Sequence, residues 1–82
     1  MNKHEAQALA RKRPTIGALK EAIRQRQRLM RVGEPSRVNS SLTVSQACDI
    51  FERAIAKRTD DEVIEDSSRD QMMATNILWE CL

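Results

Sequence analysis

The clearest hydrophobic pattern in the chain runs from Leu42 to Arg58. Val44, Ala47, Cys48, Phe51, Ala54 and Ile55 recur at i, i+3, i+4, i+7, i+10 and i+11. At about 100° per residue they share one helical face. Ser45, Asp49, Glu52 and Arg53 fall on the opposite face. Thr43 and Gln46 have the spacing of a capping box, and Leu42 and Ala47 are placed for a hydrophobic staple. Lys57 and Arg58 suit the C-terminal end of such a helix. A stripe of this kind must lie on something, so the other segments read as its cover.

A second amphipathic helix is predicted from Thr15 to Val32. Thr15 is its N-cap, Gly17 weakens its first turn, and Gly33 is placed to end it. Ile16, Leu19, Ile23 and Met30 form its apolar stripe, widened by Ala18, Ala22 and Leu29. Lys20, Arg24, Arg28 and Arg31 form a basic stripe on the other side. Arg26 breaks the pattern by projecting from the apolar stripe. A third helix is predicted over 60 or 68–82. Thr59-Asp60-Asp61-Glu62 has capping-box spacing, and Ser68 with Gln71 offers a second start. Ala74, Ile77, Leu78, Cys81 and Leu82 make its stripe, with Met73 and Trp79 at the edges. Residues 1–14 read as a basic arm or a short helix, broken near Arg13 because Pro14 disfavours helix at the residue before it. Residues 34–41 read as a loop.

The fold class that follows is all-α: a small antiparallel bundle of three main helices with an optional short N-terminal helix. One helical domain spans residues 15–82. Composition narrows the picture. At 82 residues, with 2% aromatics, the core must come from aliphatic side chains. A chain this short buries only roughly 60% of its unfolded surface. A shared core between copies is therefore expected. A homodimer would cover an apolar strip along Ile50, Ile77 and Leu78, and would let Arg26 and Trp79 contribute to the interface.

Charge is distributed unevenly. Residues 1–39 carry ten Lys/Arg against three Glu, a balance of +7, and residues 40–82 carry four against nine Asp/Glu, a balance of −5. The basic stripe, with Arg11, Lys12 and Arg13 upstream, has three open readings: a solvated face, a phosphate-binding surface for nucleic acid, or a contact for an acidic protein. No aromatic interleaves these cations, which argues against stacking on single strands. Arg26 can snorkel to solvent or meet a carboxylate across an oligomer interface. Asp60, Asp61, Glu62, Glu65 and Asp66 read as a solvated helix start matched to the dipole, or as a row mimicking phosphates. Met72, Met73 and Trp79 read as core, or as an adaptable partner-binding edge.

Catalytic and metal-binding patterns are weak. His4 is the only imidazole, so Cys–His and Ser–His pairs have one donor at the polar N-terminus. Cys48 and Cys81 are not arranged as paired metal ligands. There is no glycine-rich phosphate loop and no calcium-loop pattern. No cofactor and no metal are expected. Neither a secretory leader nor a membrane-spanning run is read, so the expected location is cytoplasmic, with reduced, buried thiols.

Ser41 to Arg58 resembles the second helix of ribbon-helix-helix antitoxins. Leu42-Thr43-Val44-Ser45-Gln46-Ala47, followed by Phe51, matches their Leu-Thr-x-Ser-x-Ala run and Phe. That family carries a base-reading β-strand upstream, where this chain has the helix pattern of 15–32. The resemblance is confined to this one segment, and the family is not adopted. The expectation is a non-enzymatic regulatory or inhibitory protein acting by helix-mediated binding of a protein partner. The alternative is a nucleic-acid-binding regulator using the basic helix 15–32.

Overall fold

Four segments form helices, and each is begun by a side chain that caps it. The computed structural model describes residues 1–82. Asn2 caps α1 (Lys3–Arg11), Thr15 caps α2 (Ile16–Leu29), Thr43 caps α3 (Val44–Ile55) and Ser67 caps α4 (Ser68–Cys81). In each case the side-chain oxygen accepts a backbone N–H three residues on, at 2.9–3.2 Å. A cap of this kind contributes about 1 kcal/mol. At α3 the capping box is complete: Gln46 Oε1 accepts the Thr43 N–H in return, at 2.9 Å.

The architecture is the all-α antiparallel bundle expected, with α1 as its short N-terminal helix. α4 lies between α1 and α2, α2 lies between α4 and α3, and α3 touches α4 only lightly. The helix with the clearest stripe is thus at an edge, while α2 and α4 form the middle. Ile16, Leu19 and Ile23 of α2, Val44, Cys48 and Ile55 of α3, and Ala74, Ile77 and Leu78 of α4 meet in one core. Ile64, from the connector before α4, joins them. α1 belongs to this core, since Ala6 and Ala10 are fully buried. Small side chains let α1 approach α4 closely. Each fully buried isoleucine contributes roughly 1.5–3 kcal/mol.

Three expectations change here. First, the acidic segment Thr59–Glu62 does not start a helix. It folds as a turn whose carbonyls cap α2: Ile16 N–H donates to Glu62 O and Gly17 N–H to Asp60 O, both at 2.8 Å. Thr15 and Val63 form an isolated bridge beside them. A Cβ on Gly17 would lie 3.0 Å from Asp60 O, so this glycine permits the close approach rather than merely weakening a helix. Second, α2 stops at Leu29 rather than at Val32, because Met30 is extended. Gly33, at φ 76°, instead serves the turn in which Glu34 N–H donates to Arg31 O. Third, Ile77 and Leu78 are buried in the chain's own core. Close packing of α4 on α1 and α2 covers them. They are not an interface strip, and of that strip only Ile50 remains at the surface.

The break before α2 is as expected. Arg13 takes a left-handed conformation, φ 53°, in the position that glycine usually fills after a helix. Its N–H donates to Ala10 O at 3.0 Å, and its Nε donates to Ile64 O at 3.0 Å. Two hydrogen bonds offset the strain, on the order of 1 kcal/mol, of a left-handed non-glycine residue.

Candidate functional site

The sequence-predicted cations divide into those that hold the fold and those that are free. Lys20 Nζ donates to Arg58 O at 2.8 Å and pairs with Asp60 at 2.9 Å, tying α2 to the turn that caps it. Arg24 pairs with Glu21 at 2.9 Å within α2. Arg13 is used at the α1–α2 junction, as described. Arg11 and Lys12 at the end of α1, and Arg28 and Arg31 near the end of α2, are exposed and form none of the chain's ion pairs. The basic stripe is therefore half neutralised internally.

Arg26 neither snorkels nor waits for a second chain. It is buried, with Nη2 2.6 Å from Glu34 Oε2 and Nε donating to the Glu80 backbone carbonyl at 3.2 Å. Glu34 also accepts the Arg31 N–H at 3.0 Å. That bond, with the Arg26 guanidinium, holds its carboxyl below the usual range. This pairing fastens the turn after α2 to the last turns of the helix.

Glu80, which sequence reading passed over, is the centre of a buried network. It is fully buried, accepts the Ser36 hydroxyl, and accepts the Arg37 N–H at 2.9 Å. Ser36 Oγ in turn accepts the N–H groups of Val38 and Asn39 at 3.2 and 3.1 Å. Arg37 reaches on to Leu82 O at 2.9 Å. The network fastens the 34–43 loop to the end of α4. The one signal in the sequence was a Glu inside the Ile77–Leu82 apolar stripe.

A second cluster fixes the connector between α3 and α4. Arg58 donates to both oxygens of Asp70, at 3.0 and 2.9 Å, and its Nε donates to Glu62 at 2.6 Å. Asp70 also accepts the Glu65 N–H at 2.6 Å. The Arg58 guanidinium and then that N–H hold the Asp70 carboxyl low, against the effect of burial. Lys20 does the same for Asp60, and Arg24 with Gln25 for Glu21. A carboxylate whose folded value is depressed contributes stability above its unfolded value, and that contribution is lost as pH falls through the folded value. Thermal midpoints should be level above about pH 5 and fall steadily below about pH 4. Arg58→Gln should flatten that acid limb while lowering the midpoint at neutral pH. Differential scanning calorimetry across pH reads both.

The thiols are quiet. Burial pushes Cys48 up, and burial followed by its neighbour Cys48 pushes Cys81 up to about 12. Little thiolate is available near neutral pH for nucleophilic work. No cluster of three or more His, Cys, Asp or Glu side chains could hold a metal ion, and no helix is long and apolar enough to cross a membrane. Trp79 is half-buried against the core, with Lys3 Nζ 5.9 Å above its ring, and Met73 also packs inward. Of the edge expected there, only Met72 is exposed.

Three concave surfaces remain. One is an apolar pocket of about 140 Å³ beside α3, lined by Val38, Leu42, Ala47, Ile50 and Phe51 with Ser36 and Asn39 at its margin. Ile50 is 50% exposed at this pocket. The chain positions it through the Glu80 network, which sets the loop that forms one wall. A second is a polar groove between α1 and α4, and a third, of about 250 Å³, is a polar recess lined by Lys20, Arg24, Glu52 and Ala56. The class the fold defines is a small all-α bundle with one apolar and two polar recesses. Comparison with protein-family models, curated proteins and solved structures finds no match.

Proposed function

We propose that the protein is a non-enzymatic regulator that binds a protein partner, and that the pocket beside α3 receives an apolar side chain projecting from a helix of that partner. The observation carrying this reading is the pocket itself: an apolar recess, about 140 Å³, with a half-exposed isoleucine at its lip. That volume suits one aliphatic or aromatic anchor, and such anchors supply much of the energy in protein interfaces. The internal use of the ionisable groups supports it. Glu34, Asp60, Glu62, Asp70 and Glu80 are occupied in ion pairs and hydrogen bonds that hold the fold.

The nucleic-acid reading has less support. Lys20 and Arg24 already pair with Asp60 and Glu21, so phosphates would compete with existing partners. Arg28 and Arg31 are the free remainder of the stripe.

Ile50→Glu tests the proposal. Half-exposed, the position should tolerate the charge with a thermal midpoint within a few degrees of wild type. Quantitative pull-down from the native cell should then show a protein retained by the wild type and by Lys20→Gln/Arg24→Gln, and released by Ile50→Glu. An unchanged set of bound proteins would refute the pocket as the docking site. Sedimentation of both variants separates a foreign partner from a second copy of this chain.

A further inference from the structure

The groove between α1 and α4 has a volume of about 460 Å³ and a lining unlike that of the α3 pocket. α1 contributes Lys3, Gln7 and Arg11, spaced four residues apart and so stacked along one face. α4 contributes Gln71, Thr75 and Asn76. At 1.5 Å of rise per residue, the Lys3 and Arg11 backbones stand about 12 Å apart along α1. Neither cation is paired with a carboxylate of the chain. Lys3 is instead held over the Trp79 ring at one end.

Gln71 carries the inference furthest. Its Nε2 is buried and has no hydrogen-bond partner. A buried donor left unpaired destabilises the free chain, and an acceptor that meets the Gln71 amide as its side chain turns into the groove would relieve that cost. The groove thus offers two separated cations and an unsatisfied amide donor, with further amides beside them. It asks for a ligand rich in acceptors, with negative charges set well apart.

We propose that this groove binds an extended acidic peptide segment of a partner protein. Two acidic side chains four residues apart in an extended strand lie about 13 Å apart and on the same side. They match the Lys3 and Arg11 ends, while a main-chain carbonyl between them accepts from Gln71 once its side chain has turned outward. A nucleic-acid strand is disfavoured because Met72 is the only apolar side chain of the lining, so bases find no aromatic platform. Asp66 also lines the groove, which leaves an acidic ligand two cations against one carboxylate. The proposal uses no residue of the α3 pocket and stands independently of it.

The test is fluorescence anisotropy with the whole chain and a labelled peptide carrying two glutamates four residues apart. Saturable binding that weakens as salt rises is expected. Lys3→Gln/Arg11→Gln should weaken it by about tenfold or more, and a peptide with glutamines in place of the glutamates should not bind. Gln71→Met should weaken binding while raising the thermal midpoint of the free chain by about 4 °C, because it removes the unpaired donor. Ile50→Glu should leave peptide binding unchanged, which keeps this result separate from that of the α3 pocket. No saturable binding, binding indifferent to the Lys3→Gln/Arg11→Gln change, or equal binding of a single-stranded oligonucleotide would overturn the proposal.

Discussion

Ile77→Glu should abolish folding rather than yield a soluble monomer. Ile77 is fully shielded within the core that α1, α2 and α4 share. A carboxylate there loses its hydration with no partner in reach, which costs several kcal/mol even when the group takes up a proton. The lost isoleucine packing adds about 2–5 kcal/mol. Stabilities of small domains are about 5–15 kcal/mol, and a chain of this size sits at the low end of that range. Far-ultraviolet circular dichroism should therefore show the helical signal lost at 25 °C. Ile77→Val, which removes one methylene, should remain folded and lose only about 1 kcal/mol. A folded Ile77→Glu variant with an altered sedimentation coefficient would return this residue to an intermolecular interface.

Glu80→Ala should cost about 2–4 kcal/mol, because it leaves two donors at the end of α4 without their acceptor. The loss has three parts. The Ser36 hydroxyl and the Arg37 N–H lose their acceptor, the side chain leaves a cavity, and the loop from Glu34 to Thr43 loses its tie to α4. Glu80→Gln preserves the shape and one acceptor oxygen, so it should retain roughly half of that stability. Ser36→Ala removes three hydrogen bonds, one to Glu80 and two from the Val38 and Asn39 N–H groups, and should cost about 2–3 kcal/mol. Urea denaturation ranks the three. Hydrogen exchange supplies the local readout: amides of Val38, Asn39 and Leu42 should lose protection in Glu80→Ala before those of α4 do. Because that loop walls the α3 pocket, partner binding should weaken in the same variant. Equal stabilities for Glu80→Ala and Glu80→Gln would show that the carboxylate's hydrogen bonds contribute little there.

Helix positions were legible because periodicity and capping are local. Thr15 and Thr43 begin α2 and α3 where their side chains can bond N–H groups three residues on, and no distant part of the chain is needed for that. The α3 face was legible in part. Val44, Ala47, Cys48 and Ile55 are buried, whereas Ala54 is exposed, because α3 is an edge helix with a narrow contact. The candidate sites were harder to read. The exposed cations Arg11, Lys12, Arg28 and Arg31 were identifiable as such. That Lys20 and Arg26 were already held was not, since Asp60 lies 40 residues from Lys20 and the Glu80 carbonyl 54 from Arg26, whereas the Arg24 pair with Glu21 is local to α2.

The sequence by itself determined the class and the helix starts: few glycines and prolines, 3.6-residue apolar periodicity and side-chain caps leave an all-α chain little alternative. It also determined the polarity of charge between the two halves. Only the tertiary structure decided how that charge is spent. The same Thr-Asp-Asp-Glu run that caps a helix in isolation here caps another helix with its carbonyls, because α2 arrives with a glycine that lets the backbones meet. Pattern reports which side of a helix is apolar, but not which neighbour covers it. Ile77 and Leu78 are core because α1 and α2 close over α4, and Glu80 is buried because a loop from the other half of the chain brings it donors. Both facts depend on contacts distant in sequence, whose energies no local pattern records.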